Sequence, residues 1–254
     1  MLTAIDHVIL ATPNPDHAAA DIGRALGLHV AGGGRHEAHG TYNRLIWLGD
    51  SYIELMGVFD PQLAADSWWG SHLSRVLSGA AAGLAGVVFA SSDLDADIEL
   101  LRSRGTSISD PIPGERVRPD GDVVRWRIGR LPAPDPELGL TFLIEHDTDA
   151  AEWLAADRAA RATDIHPLGS VVRLVRVEVP VADVARASLW LLRQLGLQFR
   201  PSLAGGGARD ATVGAQVLRL TPALPGRVPV IVLRGGPDPL TVDLLGVRWE
   251  FLPL

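Results

Sequence analysis

The chain reads as an α+β protein assembled from tandem βαβββ modules, and three observations predict this. A strand, a helix cap, a helix and a stopping glycine recur at nearly constant spacing: 13 residues from Asn14 to Gly27, 12 from Asp93 to Gly105, 13 from Asp183 to Gly196. The triplet Leu26-Gly27-Leu28 reappears as Leu195-Gly196-Leu197. Short apolar runs of strand length follow each helix, separated by turn residues. Two modules (1–60 and 83–149) are expected to pair into a cup over 1–149. A linker helix should follow over 150–165, and a third C-terminal module over 166–254.

Composition sets the bounds. The 254 residues are 47% apolar and 21% charged, ordinary for a globular chain with a sizeable core. A net charge of −7 with dispersed arginines argues against a nucleic-acid surface. The absence of cysteine excludes disulfides, thiolate metal sites and cysteine nucleophiles. With no leader-like start and no apolar run of membrane length, a cytoplasmic protein without a membrane partner is the expectation.

Ala4 to Ala11 is the first strand. Asn14 is suited to cap a helix with Pro15 in its first turn, and Gly27 to end it. Residues 32–41 (Gly-Gly-Gly-Arg-His-Glu-Ala-His-Gly-Thr) look too glycine-rich for regular structure and read as a loop, with one short strand near 28–31. Asn43 to Leu48 and Ser51 to Met56 are strands around a Gly49-Asp50 turn, and 61–82 is a helical connector carrying Trp68 and Trp69. The second unit runs from Leu84–Ser91 through an Asp93-capped helix and a Pro/Gly loop to strands at 123–128 and 140–146. The third has a strand at 171–180, a helix over 184–195 and strands at 216–221, 228–233 and 245–252.

Two runs carry chemistry. Alternation places His7 on a face with Ile5 and Ile9, and Glu54 on a face with Tyr52 and Met56. A carboxylate inside such a run requires a proton, a partner or a metal. Counting seven residues back from each cap aligns His7 with Gly86 in the second unit and Arg176 in the third. Arg35, His36 and His39 lie in the glycine-rich stretch, where binding residues concentrate. Thr41, Tyr42 and Asn43 follow it and can present a hydroxyl, a phenol and an amide to a ligand. Trp126 can wall an apolar pocket, and Arg118, Asp120 and Arg125 can meet a carboxylate. Each has a structural alternative: a core histidine for His7, an arginine pair for Glu54, solvent for Glu145 and the loop, core filling for the tryptophans.

Five stretches carry a resemblance to the vicinal oxygen chelate superfamily, closest to its glyoxalase-like branch: Ile5-Asp6-His7-Val8, residues 33–43, Tyr52-Ile53-Glu54-Leu55, residues 118–126 and Phe142-Leu143-Ile144-Glu145. The resemblance implies two modules cupped around one divalent metal (Mn, Fe, Co, Ni, Zn or Mg), with His7, Glu54 and Glu145 as ligands. Gly86 leaves the family's fourth position empty. Glu54 or Glu145, where not ligating, would serve as catalytic base. Arg35, His36, Thr41, Tyr42, Asn43 and Trp126 would contact substrate. The implied function is a metal-dependent lyase or isomerase acting on a small carbonyl or enediolate substrate. The alternative is a metal-free small-molecule binder of bleomycin-resistance type. Extradiol dioxygenation is a third, disfavoured because it resembles two histidines with one carboxylate. The third module, with an unpaired concave sheet face, is expected to pad the sheet or form a homodimer.

Overall fold

A computed structural model of the chain describes residues 2–118, 120–135 and 137–254. Pro119, part of one motif quoted above, lies outside the described residues. The first module comprises β1 (Ala4–Ala11), α1 (Pro15–Leu26), β2 (Ala31–His36), β3 (Thr41–Leu48) and β4 (Ser51–Val58). The connector holds α2 (Pro61–Asp66) and α3 (Trp68–Gly79). The second module comprises β5 (Gly83–Ala90), α4 (Leu94–Ser103), β6 (Ile112–Val117), β7 (Val123–Arg130) and β8 (Phe142–His146). The caps form as the sequence reads. Asn14 and Asp93 accept from backbone N–H groups in the first turns of α1 and α4, and Gly27 closes α1 at φ 62°.

The eight strands close into one barrel in the order β1-β4-β3-β2-β6-β7-β8-β5. Closure explains why the glycine-rich stretch is a strand and not a loop. β2 is wedged between β3 and β6, and a Cβ on Gly33 would stand 2.2 Å from the Asn43 carbonyl oxygen. One on Gly34 would stand 2.5 Å from that of Val117. Glycine is what lets the two modules meet along this seam. β6 is likewise a strand where the sequence suggested only a loop.

The expected linker helix begins later than foreseen, as α5 (Ala155–Thr163). Residues 147–154 instead form turns that lay Trp153 over one end of the barrel, its ring stacked on His146 at 3.7 Å.

The C-terminal part departs most from the sequence reading. It contains β9 (Arg173–Val181), α6 (Val184–Leu195), β10 (Arg200–Pro201), β11 (Arg209–Val213), β12 (Gln216–Pro222), β13 (Val230–Arg234), β14 (Leu240–Leu244) and β15 (Val247–Leu252). Its sheet order is β10-β11-β12-β9-β13-β15-β14. β9 pairs parallel with β12 and antiparallel with β13, as β1 does with β4 and β5. β13 then pairs parallel with β15, as β5 does with β8. The last three strands are therefore a fourth module reduced to strands, since the β13–β14 connection (235–239) holds no helix. The counterpart of β6 is missing, so the sheet stays open.

Val177, Val179 and Val181 turn inward and join residues of α1, α4, α6 and both sheets in one core. The opposite face of β9 carries Arg176 and Glu178. Arg219 bonds Glu178 and forks onto Asp210 at 2.7 and 2.8 Å. Along this row the face is ionic rather than apolar. Among the described residues no helix is long and apolar enough to cross a membrane.

Candidate functional site in the barrel

The barrel interior is the chemically distinctive region. Its cavity, with a free volume near 50 Å³, is walled by Trp47, Tyr52, Trp69, Trp126, Phe142 and Trp153, with polar groups from His7, His36, Asn43, Glu54, Arg116 and Glu152. On the side of His36, Trp69 and Trp126 it adjoins an outer cleft of about 390 Å³.

His7 is positioned by a bulge. The β1–β5 register slips between Ile5 and His7, opposite the consecutive Phe89 and Val88, so Asp6 is an extra residue. Both side chains are thereby buried together, and His7 Nδ1 lies 2.6 Å from Asp6 Oδ1. The same carboxylate meets His146 Nε2 at 3.0 Å. Burial pushes the Asp6 carboxyl up, but His146 and then His7 outweigh it and hold the group well below the usual carboxylate range. An ionised carboxylate only accepts, so Nδ1 of His7 carries a proton toward Asp6, and Nε2 faces the cavity. Nε2 stands 3.6 Å from Glu54 Oε2, and Asn43 Nδ2 donates to Glu54 Oε1 at 2.6 Å. The ring of Tyr52 stacks on His7 at 4.5 Å. Burial raises the Tyr52 hydroxyl well above its ordinary value, and the Asp6 and Glu54 carboxylates raise it further.

Across the cavity, Arg116 donates to the Gly33 carbonyl and to Glu152, at 2.6 and 2.7 Å, with both side chains buried. Glu152 holds a positive φ of 69°, uncommon for a residue with a side chain. His36 is paired with Thr41 Oγ1 at 3.1 Å. Its imidazole is pushed down to about 3 by burial, with help from Arg116 and His39.

Of the residues chosen from sequence, His7, His36, Asn43, Glu54 and Trp126 line the cavity. Thr41 supports His36 from behind. Arg35 lies outside, over the Phe59 ring at 4.3 Å, and Tyr42 is half-buried away from the cavity. Glu145 does not converge with His7 and Glu54. It lies on the outer side of β8, where Arg127 grips one carboxylate oxygen and the Leu94 N–H of α4 donates to the other at 3.1 Å.

Register shows what replaces it. His7 sits opposite Tyr52, and its counterpart Gly86 bridges Leu140. Two residues on, Glu54 therefore corresponds to Phe142, not to Glu145. Gly86 has no room for a side chain, because a Cβ there would stand 2.4 Å from the Leu140 carbonyl oxygen. In the C-terminal sheet Arg219, opposite Glu178 as Glu54 is opposite Ile9, takes the same position.

A metal centre was tested against this donor set. The first module offers His7 Nε2 and the Glu54 carboxylate, while the second offers a glycine and a phenylalanine. Two donors fall short of the three protein ligands of an open catalytic site, and no group of three or more metal-competent side chains converges among the described residues. The residues do not fit the implied metal.

Sequence reasoning missed Asp6, Arg116, His146, Glu152 and Trp153. Strand alternation turns Asp6 away from His7, and only the bulge brings it back. Arg116, Glu152 and Trp153 belong to no pattern readable locally.

A closed barrel of two βαβββ modules with its polar residues at the module interface defines the vicinal oxygen chelate class of proteins. The chain belongs to the glyoxalase-like domain family, whose model matches residues 5–195. A crystal structure of a hypothetical protein from Staphylococcus aureus aligns over 100% of both chains with TM-score 0.79 and 17% identity. A mutant of 4-hydroxymandelate synthase from Streptomyces coelicolor aligns over 92% of this chain and 72% of its own, with TM-score 0.57 and 11% identity. A variant of methylmalonyl-CoA epimerase from Streptomyces coelicolor, in complex with 2-nitronate-propionyl-CoA, covers 57% of this chain and 97% of its own at 23% identity and TM-score 0.43. No curated protein matches the chain. At these identities the structural likenesses speak to fold alone.

Proposed function

We propose that the chain is a small-molecule binding protein whose site is the barrel interior and which works without a resident metal. The carrying observation is the asymmetry of the two modules: His7 and Glu54 face a glycine and Phe142, so half of the polar constellation is an apolar wall. Aromatic lining with a few placed polar groups is the usual make-up of a ligand pocket. Two buried polar atoms of the lining residues, His146 Nδ1 and Trp69 Nε1, have no partner, the condition expected where a ligand supplies one.

One observation favours the rival reading of a metal-dependent lyase or isomerase. A carboxylate on Nδ1 of a histidine, as Asp6 is on His7, is how metal-ligating histidines are oriented. That reading needs a third donor, and Glu145 is committed to Arg127. Extradiol dioxygenation needs still more of the second module.

The test is metal content by plasma mass spectrometry after growth in metal-supplemented medium, on wild type and His7→Ala, alongside ligand titrations in EDTA. Sub-stoichiometric metal in both proteins, with a ligand response that survives EDTA, is expected. One equivalent of divalent metal in wild type, lost in His7→Ala, overturns the proposal.

A further inference from the structure

The outer cleft collects hydrogen-bond donors for which the fold supplies no acceptors. Arg130, the last residue of β7, lines it together with Trp68, Trp69, His36 and His39. Its guanidinium carbon lies 5.4 Å from the centroid of the Trp68 ring, and contact with a ring consumes none of its five N–H donors. Among the described residues the guanidinium has no carboxylate or carbonyl partner. The indole N–H groups of Trp68 and Trp69 are likewise buried and without partners, which costs free energy until an acceptor arrives. His39 forms a T-shaped pair with the Trp69 ring at 4.5 Å, and burial, then the Arg130 charge, push its imidazole below the usual value. Arg130 is therefore the permanent cation of this wall. Two acids also line the cleft, but Glu115 faces Arg125 at 3.9 Å, and Asp66 is exposed at the end of α2 with no ion pair to Arg130 among the described residues.

We infer that the cleft seats the carboxylate of an organic acid on Arg130, with the acid's apolar body reaching past His36, Trp69 and Trp126 into the barrel. The inference rests on the reading of the barrel interior as a ligand site and names the charge of what it takes. His36, Trp69 and Trp126 line both spaces, so one extended molecule can occupy the two. A carboxylate presents two coplanar oxygens to the fork of a guanidinium, the geometry that arginine matches. Its remaining lone pairs can accept from indole N–H groups. A neutral alcohol offers one oxygen and leaves the arginine without a counter-charge. An amine brings a second cation. A dianion would gain at Arg130 and lose against Asp66 and Glu115, on a chain whose net charge is already −7.

The experiment is a tryptophan-fluorescence titration of the full chain in EDTA at about 0.15 M salt, where exposed charges more than about 8 Å away are screened. The probes are hexanoate, 1-hexanol and hexylamine, alike in length and different in charge. Hexanoate is expected to bind one-to-one and at least tenfold tighter than 1-hexanol, with hexylamine no tighter than the alcohol. Arg130→Gln should weaken hexanoate tenfold or more and leave 1-hexanol within twofold. Arg130→Lys, which keeps the charge and loses the fork, should fall between. Arg227→Gln, the same change of net charge on an exposed loop, should leave hexanoate within twofold. Leu45→Phe, which adds bulk to the barrel cavity, should weaken acid and alcohol alike. Equal binding of acid and alcohol, or a preference that survives Arg130→Gln, overturns the carboxylate inference, and the barrel reading still stands if Leu45→Phe weakens both probes. Hexanoate binding that needs Arg130 but ignores Leu45→Phe overturns the barrel reading while the carboxylate seat holds. No response to any probe overturns both.

Discussion

Phe142 of the second module stands where Glu54 stands in the first, each two residues beyond the strand position opposite Gly86 or His7. The Phe142 and His7 rings form a T-shaped pair with centroids 5.9 Å apart, so an aromatic ring fills the place from which a second carboxylate would reach a shared ion. Restoring the carboxylate should restore the ion. Phe142→Glu gives a three-donor set, and cobalt titrated into this variant, followed by its visible absorption, should bind at least tenfold tighter than to wild type. The variant should also gain thermal stability with added metal, because a ligand that binds only the folded state stabilises it. Unchanged cobalt affinity would show that the two positions do not share a centre.

Gly86 is set by steric fit. The Leu140 carbonyl oxygen and Cβ approach the place of its missing side chain to 2.4 and 2.8 Å, and a backbone oxygen cannot rotate away. Gly86→Ala should therefore destabilise the fold by about 2 kcal/mol, within the usual overpacking range, read as a lower urea midpoint with unchanged slope. An alanine variant as stable as wild type would show that steric fit is not what keeps a ligand side chain from this position.

The repeat was legible because helix caps are local. Asn14, Asp93, Asp183 and the glycines after α1 and α6 act within one turn, and all three capped helices form where their spacing puts them. β2, β6 and the degenerate fourth module were not legible, because their pairing is decided by strands far away in sequence. Gly33 is a strand residue only in the presence of Asn43 and the closing barrel. At the site, His7 and Glu54 stood out as polar residues in apolar runs. Glu145 lies apart from them, with Arg127 and the Leu94 N–H, and the sequence does not reveal the register that puts Phe142 at the position matching Glu54. Asp6 was hidden for the same kind of reason: a one-residue bulge reverses the face that alternation gives it.

Asp6 holds two imidazoles at once, so its loss should be felt in stability and in ligand binding. Asp6→Asn leaves the ring N–H groups of both His7 and His146 without a charged acceptor and should cost about 3 kcal/mol, the scale of removing one partner from a buried charged network. Its pH signature has a definite sign. The folded-state carboxyl lies well below the unfolded value of 3.8, so its stabilisation is fully present above that value and is lost as pH falls from about 4 toward the folded value. Wild type should therefore lose stability more steeply than Asp6→Asn below about pH 4. Parallel acid limbs in urea titrations would contradict the assignment.

His36 acts in the same sense over a higher window. Its folded-state value is pushed down to about 3 from 6.5, so between those limits the unfolded chain binds a proton that the folded one refuses. Stability must then rise with pH across that window and level off above about 6.5. One proton bound by the unfolded chain alone changes stability by about 1.4 kcal/mol for each step of one in pH, so a slope of up to that size comes from this one ring. His36→Asn keeps a polar partner for Thr41 and carries no titrating group. Its urea midpoint should vary less than that of wild type between about pH 4 and 6.5, with the two curves separating most at the acid end. If both proteins show the same slope there, His36 is not held neutral by its burial beside Arg116.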